Sequence, residues 1–331
     1  MSVTPSIMPI SNFHPNQDAA ILRKILKAFI FHSRKLFIII CNRCSWQRQE
    51  IARTYDLMYG KNLVKKLKSK LSAAGYEEKQ RLVLALMQPL AVYQAKQLRK
   101  AVQGTSRKSV LIEVMISQNN GQLVEVLRKY EELYSTDLEI DLSRRTSGFL
   151  QEGISFSQRP LSSCVTNCVI CCRRDETNDT DEKKAAEDAL LLYSSAKSLC
   201  EHEKCFIDIL TSRNYKQLKI IFDEYEKVAH HSIEAAILQD FSGSFCKGLL
   251  ALVSIVRNRS AYFAKLLHKF IKNHSDGDLV RLLVSRSECD MIDIGREFEI
   301  LYEKPLKEVI RKNFSGSYKR ALIALANGNR T

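Results

Sequence analysis

Two short landmarks recur four times along this chain at a fixed separation, which leaves few architectures open to it. Arg43, Gln118, Arg213 and Arg286 each follow a Ser or an Asn. Each is followed 27 residues later by a second landmark: Lys70-Leu71-Ser72-Ala73, Arg145-Thr146-Ser147-Gly148, Asp240-Phe241-Ser242-Gly243 and Asn313-Phe314-Ser315-Gly316. Both landmarks step together by 75, 95 and 73 residues. A constant inner offset with a variable outer step means four units of about 70 residues, with an insertion of about 20 residues between the second and third.

Within a unit the apolar residues fall at helical spacing, as in Leu218, Ile221, Phe222 and Tyr225, or Ile292, Phe298, Leu301 and Tyr302. With only 12 Gly and 6 Pro in 331 residues, long helices joined by short turns are favoured, so the fold class is all-α. The Ser-Gly pairs at 147, 242 and 315 are expected where one helix ends and the next begins, the Gly turning left-handed and the Ser capping the new helix.

Lys plus Arg exceed Asp plus Glu by 51 to 37, a net charge of +14 that favours polyanionic partners, either nucleic acid or an anionic lipid surface. The strongest apolar runs, Leu36 to Cys41 and Leu249 to Val256, are too short to span a bilayer, and no signal-like segment opens the chain. A soluble, cytoplasmic protein is expected. The ten cysteines are scattered largely through apolar helical stretches, which fits free thiols better than a disulfide framework.

The segments Gln47-Arg48-Gln49-Glu50-Ile51, Phe222-Asp223-Glu224-Tyr225, Phe241-Ser242-Gly243 and Val256-Arg257-Asn258-Arg259-Ser260-Ala261-Tyr262-Phe263-Ala264 resemble the annexin family, from about Asp18 to Asn327. The resemblance implies four repeats of about five helices each, forming a curved disc. Residues 1–17 are then a tail, with repeats at 18–88, 89–175 (insertion near 155–175), 176–255 and 256–331. It further implies that inter-helix loops on the convex face bind calcium and bridge to anionic phospholipid, while the concave face and the tail meet protein partners.

The calcium site implied by the family combines loop carbonyls with a carboxylate about forty residues downstream, a set of hard oxygens suited to that ion. In repeat I the loop is Lys27-Ala28-Phe29-Ile30-Phe31-His32, without glycine, and Lys70 stands at the acid position. Repeat II keeps Gly104-Thr105 but places Arg145 at the acid position. Repeat III aligns Ala196, Ser198 and Cys200 with the carbonyl positions and Asp240 with the acid, 44, 42 and 40 residues downstream. Both loop glycines are replaced there, and a left-handed conformation costs a residue with a Cβ roughly 1–2 kcal/mol, so calcium binding is expected to be weak. Repeat IV has a shortened loop, Asn273 to Asp278, and Asn313 in place of the acid. Asp276 and Asp278 there read first as turn chemistry.

Cys164, Cys168, Cys171 and Cys172 cluster in the insertion, but no second cluster completes a zinc set, and interleaved Val165, Val169 and Ile170 favour a buried helix. Cys41 and Cys44 have redox spacing without a strand-helix context, so a core role is expected. His202, between Glu201 and Glu203, is assigned to the degenerate loop rather than to a metal. The basic runs Lys61 to Lys70 and Arg23, Lys24, Lys27, Arg34 and Lys35 read either as lipid-facing or as solvated helix faces. No phosphate loop, nucleophile elbow or zincin helix is present, so no enzymatic role is assigned. The expectation is a peripheral membrane protein with weakened calcium-dependent binding to anionic phospholipid. The alternative is a calcium-independent scaffold for protein or cytoskeletal partners. Nucleic acid rests on charge alone and is not expected.

Overall fold

The structure is a computed structural model that describes residues 3–29, 31–104, 108–142, 174–195 and 199–329, with the side chains of Lys108, Leu199, Cys200, Glu201 and Ser244 outside the description. It is all-α, with no strand among the described residues. Repeat I shows five helices: Pro15–Lys27, Ser33–Ile40, Ser45–Tyr59, Leu63–Ala73 and Glu77–Leu86. Repeat II opens with Leu90–Gln103, Lys108–Ser117 and Asn120–Tyr134. Repeat III contains Glu182–Ser194, Leu199–Ser212, Tyr215–Ala229 and Ile233–Asp240, and repeat IV contains Asp276–Arg286, Met291–Tyr302, Leu306–Asn313 and Gly316–Asn327. Gly243–Lys272 joins them, broken by a non-helical Asn258 at φ −155° and ψ 99°.

The first sequence landmark has a structural cause. Arg43 makes a two-pronged ion pair with Asp18 at 2.7 and 3.0 Å, and Arg213 repeats it on Asp188 at the same distances. Each pair fastens the first helix of its repeat to the end of the second, with the carboxylate buried. In repeat IV, Arg286 turns instead to Asp290 in the next turn, and in repeat II, Gln118 donates to the Ser117 hydroxyl.

The third helix of every repeat ends in a residue of positive φ: Gly60 at 61°, Ser135 at 52°, His230 at 57° and Glu303 at 54°. Three of the four therefore accept a left-handed cap without glycine. At the second landmark Gly243 and Gly316 do adopt positive φ, 64° and 62°. Ser315, however, makes no side-chain cap, and its carbonyl accepts from the amide of Lys319 instead. Leu218, Ile221, Phe222 and Tyr225 are buried as the spacing indicates, whereas Leu301 is exposed and Met291, Ile294 and Phe298 face the core of repeat IV.

The described chain forms two compact units, residues 1–93 with 260–331, and residues 94–259. In the first unit Leu36, Ile51 and Leu82 share one buried cluster with Phe263, Leu282 and Phe298. In the second, Val114, Val126 and Tyr130 are buried, as are Phe206, Leu210 and Leu252.

The tail is bound to the first unit. Ser6 and Ile7 are buried and both amides donate to the carbonyl of Ser287, at 2.8 and 2.9 Å. The Ser6 hydroxyl donates to Leu325, and Asn329 clasps both the amide and the carbonyl of Met8. A Cβ at Gly328 would lie 1.8 Å from the Ser6 oxygen, so only glycine lets the strap approach there.

Candidate calcium and phospholipid sites

Repeat III keeps the carboxylate. Ser232 caps the Ile233–Asp240 helix at its start, and Asp240 is its last residue. Phe241 then leaves in extended conformation and buries its ring edge-on against Phe206, centroids 5.1 Å apart, and tilted over His202 at 5.0 Å. That aromatic clasp fixes where the Asp240 carboxylate emerges, with 28% of its side chain exposed. His202 stands behind it, Nε2 at 3.9 Å from Oδ2. Burial pulls the imidazole below its ordinary range, opposed by the carboxylate, so His202 stands beside Asp240 as a neutral ring near neutral pH and not as a counter-charge. The Tyr225 hydroxyl is pushed up to about 12, by burial first and by Asp240 second.

His202 belongs to the Leu199–Ser212 helix, not to the loop, which corrects the sequence expectation: its ring packs inward on Phe206 at 4.8 Å, giving it the role of a core aromatic. Cys200 lies in the first turn of the same helix. Ala196 and Ser198 lie outside the described residues, so the acid half of the site is described and its carbonyl half is not. Among the described residues no Lys or Arg pairs with this partly exposed carboxylate, and a carboxylate of that kind has the chemistry a hard cation takes.

Repeat I does not fit it. The Pro15–Lys27 helix stops at Ala28, whose carbonyl faces the Leu63–Ala73 helix, and the Lys70 ammonium donates to that carbonyl at 3.0 Å. A fixed positive charge thus holds the loop where the family scheme has calcium, at the electronegative end of a helix. The loop is braced further by Phe31 against Tyr76, centroids 6.5 Å apart, while Phe29 is wholly exposed.

Repeat IV does not fit either. Asn313 donates to the Val309 carbonyl in its own helix, and Asp278 is consumed by the buried guanidinium of Arg281. His274, at φ 50°, closes the short turn before the Asp276–Arg286 helix, whose first turn holds both acids. In repeat II, Gly104 follows the Leu90–Gln103 helix, and Thr105 and Arg145 lie outside the described residues.

Among the described residues no three His, Cys, Asp or Glu side chains gather as a metal site. Cys41 and Cys44 are buried free thiols, in keeping with a core role. Cys164, Cys168, Cys171 and Cys172 lie outside the described residues. No described helix is long and apolar enough to cross a membrane. Of the basic runs, Lys24, Lys27, Arg34, Lys35, Lys61, Lys65, Lys66 and Lys68 are exposed, while Arg23 stacks on the Tyr59 ring at 4.1 Å.

The Annexin family model matches residues 17–82, 93–155, 187–252 and 262–325. Human annexin A7 is 36% identical over 324 residues, which cover 97% of this chain but 63% of that protein. Bovine annexin A8 is 35% identical over 329 residues, covering 98% of this chain and 96% of that one. Among solved structures, annexin III superposes with a TM-score of 0.88 at 31% identity, covering 99% of this chain and 98% of that one. Chicken annexin V in complex with Zn2+ gives 0.85 at 30% identity, covering 99% and 100%. With four matched repeats, the all-helical architecture and full-length relatives above 30% identity, the chain belongs to the annexin family.

Proposed function

We propose that this chain is a peripheral membrane-binding protein whose calcium-responsive contact with anionic phospholipid is centred on repeat III, with Asp240 as the carboxylate and the carbonyls of Ala196, Ser198 and Cys200 as its loop partners. The observation that carries this reading is the Asp240 side chain, partly exposed and backed by a neutral His202, while positions 70 and 313 hold Lys and Asn. One surviving carboxylate and a loop without its glycines predict weak calcium affinity. The repeats proposed at 18–88, 89–175, 176–255 and 256–331 then have unequal roles, and no residue is assigned to catalysis. The protein acts in the cytoplasm, moving between solution and membrane surface.

The test is co-sedimentation with phosphatidylserine vesicles across a calcium series. Calcium-dependent pelleting that Asp240→Ala abolishes is the expected result; pelleting equal in the two proteins would remove Asp240 from the mechanism. A calcium-independent scaffold is the second reading, favoured by the Lys70–Ala28 bond and by the Asp278–Arg281 pair, which satisfy two of the four sites internally. On that reading the tail and the face it lies on meet a protein partner, which has to compete with the bonds holding Ser6 to Met8.

A further inference from the structure

Lys70, on the Leu63–Ala73 helix, is bonded to the loop that carries Phe29, and neither residue is assigned to calcium binding. The Lys70 ammonium has three donors, and one is spent on the Ala28 carbonyl at 3.0 Å. Among the described residues no carboxylate pairs with it. One residue beyond Ala28, Phe29 stands at 102% exposure, the most exposed large apolar side chain described. Isolated exposed apolar residues are ordinary, but they are seldom aromatic rings left entirely bare on a braced loop. Here the bracing is specific: Ala28 is tied to Lys70, Phe31 rests on Tyr76, and the Ser33 hydroxyl meets that of Ser317 at 2.7 Å. Lys24 and Lys27 lie exposed in the turn just before the ring, and Arg34 and Lys35 just after it.

A bare aromatic ring on a loop flanked in sequence by exposed Lys24, Lys27, Arg34 and Lys35 fits the boundary between anionic headgroups and acyl chains, where the ring leaves water while the cations stay at phosphate level. We propose that repeat I is a calcium-independent docking point for an anionic phospholipid bilayer, in which Lys70 takes the place of the calcium ion and Phe29 enters the interface. In this arrangement the ammonium does both jobs of the missing ion. It holds the loop carbonyl in place, and it offers its remaining donors to a lipid phosphate. No carboxylate is needed, because the bridging charge is covalently part of the chain. The inference rests on the membrane reading above but not on repeat III.

The experiment uses the full chain, with vesicles of phosphatidylcholine containing one quarter phosphatidylserine, and with pure phosphatidylcholine, all in EGTA. Trp46 is the sole tryptophan, so Phe29→Trp in a Trp46→Phe background gives a single reporter at the loop. The expected result is a blue-shifted emission with the anionic vesicles only. EGTA-resistant pelleting should fall about fivefold in Lys70→Gln, the worth of about one charge at an anionic surface, and persist in Lys70→Arg. Phe29→Ala, exposed and therefore harmless to folding, should weaken pelleting as well. Pelleting in EGTA that ignores both Lys70→Gln and Phe29→Ala, or an unshifted reporter, overturns the proposal. Pelleting only with calcium, lost in Asp240→Ala, overturns it while leaving the repeat III reading intact, and no pelleting under any condition removes both.

Discussion

The four positions 27 residues past the first landmark hold Lys70, Arg145, Asp240 and Asn313, and for the three that are described the neighbours decide what each can do. Lys70 and Asn313 both turn to backbone carbonyls, and Asp240 alone offers a carboxylate. The same dependence on surroundings governs the thiols. Cys41 is wholly buried, and burial pushes its thiol up to about 12, with Arg48 opposing only in part. Raising an acid's pKa lowers its thiolate fraction at any pH below it, so alkylation of Cys41 at pH 8 should be about 1000-fold slower than for an ordinary thiol. Peptide mass spectrometry after iodoacetamide should find Cys41 and Cys44 unmodified in the native protein and modified once guanidinium is added; native labelling of Cys41 at the unfolded rate would contradict the packing. Burial of these thiols was legible from the apolar run Leu36 to Cys41. The Lys70–Ala28 bond was not, because it joins positions 42 residues apart in a direction that spacing alone does not specify. What the sequence did show was that Lys70 could not be an acid.

At the scale of elements, the clearest regularity is the left-handed residue that ends the third helix of each repeat, at 60, 135, 230 and 303. Only repeat I meets it with glycine, and the strain at the other three costs roughly 1–2 kcal/mol each before any compensation. Glu303 is exposed, and its amide donates to Glu299 as a helix cap requires. Glu303→Gly should therefore stabilise the protein by about 1 kcal/mol, less what glycine loses in unfolded-state entropy. A denaturant melt that moves to lower midpoint would show that Glu303 has a compensating contact. The four-repeat, all-helical plan was legible because the landmark arginines of repeats I and III share one job, the ion pairs to Asp18 and Asp188. Two elements were not. Ser315 carries a cap residue's identity without making the cap, and the tail strap is held chiefly through backbone groups of Thr4 to Met8, which every sequence possesses. Side-chain identities carry no record of such bonds, except at Gly328, where the missing Cβ leaves a trace.

For the molecule as a whole, the ends of the chain belong to one compact unit and its middle to another. Residues 94–259 are contiguous, whereas the first unit must bring together segments separated by most of the sequence. Its fastenings are correspondingly long-range: Ser6 to Leu325, and Arg48 to Glu288 across 240 positions at 2.7 Å. Loop closure on that scale grows only logarithmically with length, so the cost is tolerable once the contacts are strong. Arg48 supplies such contacts, with 3% of its side chain exposed, donating to the carbonyls of Leu86 and Arg43 as well as to Glu288. Glu288 in turn accepts from the amide of Ser45 at 2.9 Å, so it pins the start of the Ser45–Tyr59 helix from the far end of the sequence. Removing it in Glu288→Ala leaves a buried guanidinium without its counter-charge, at a cost of about 3 kcal/mol. Because that cost falls inside one unit, hydrogen exchange should accelerate at residues 36–55 and 279–298 and stay unchanged at 206–225. Thermal unfolding, if the units are cooperative on their own, should split into two transitions with the lower one belonging to the first unit. Acceleration spread evenly over both sets of amides would mean that the two units open together, and that the division of contacts is not a division of stability.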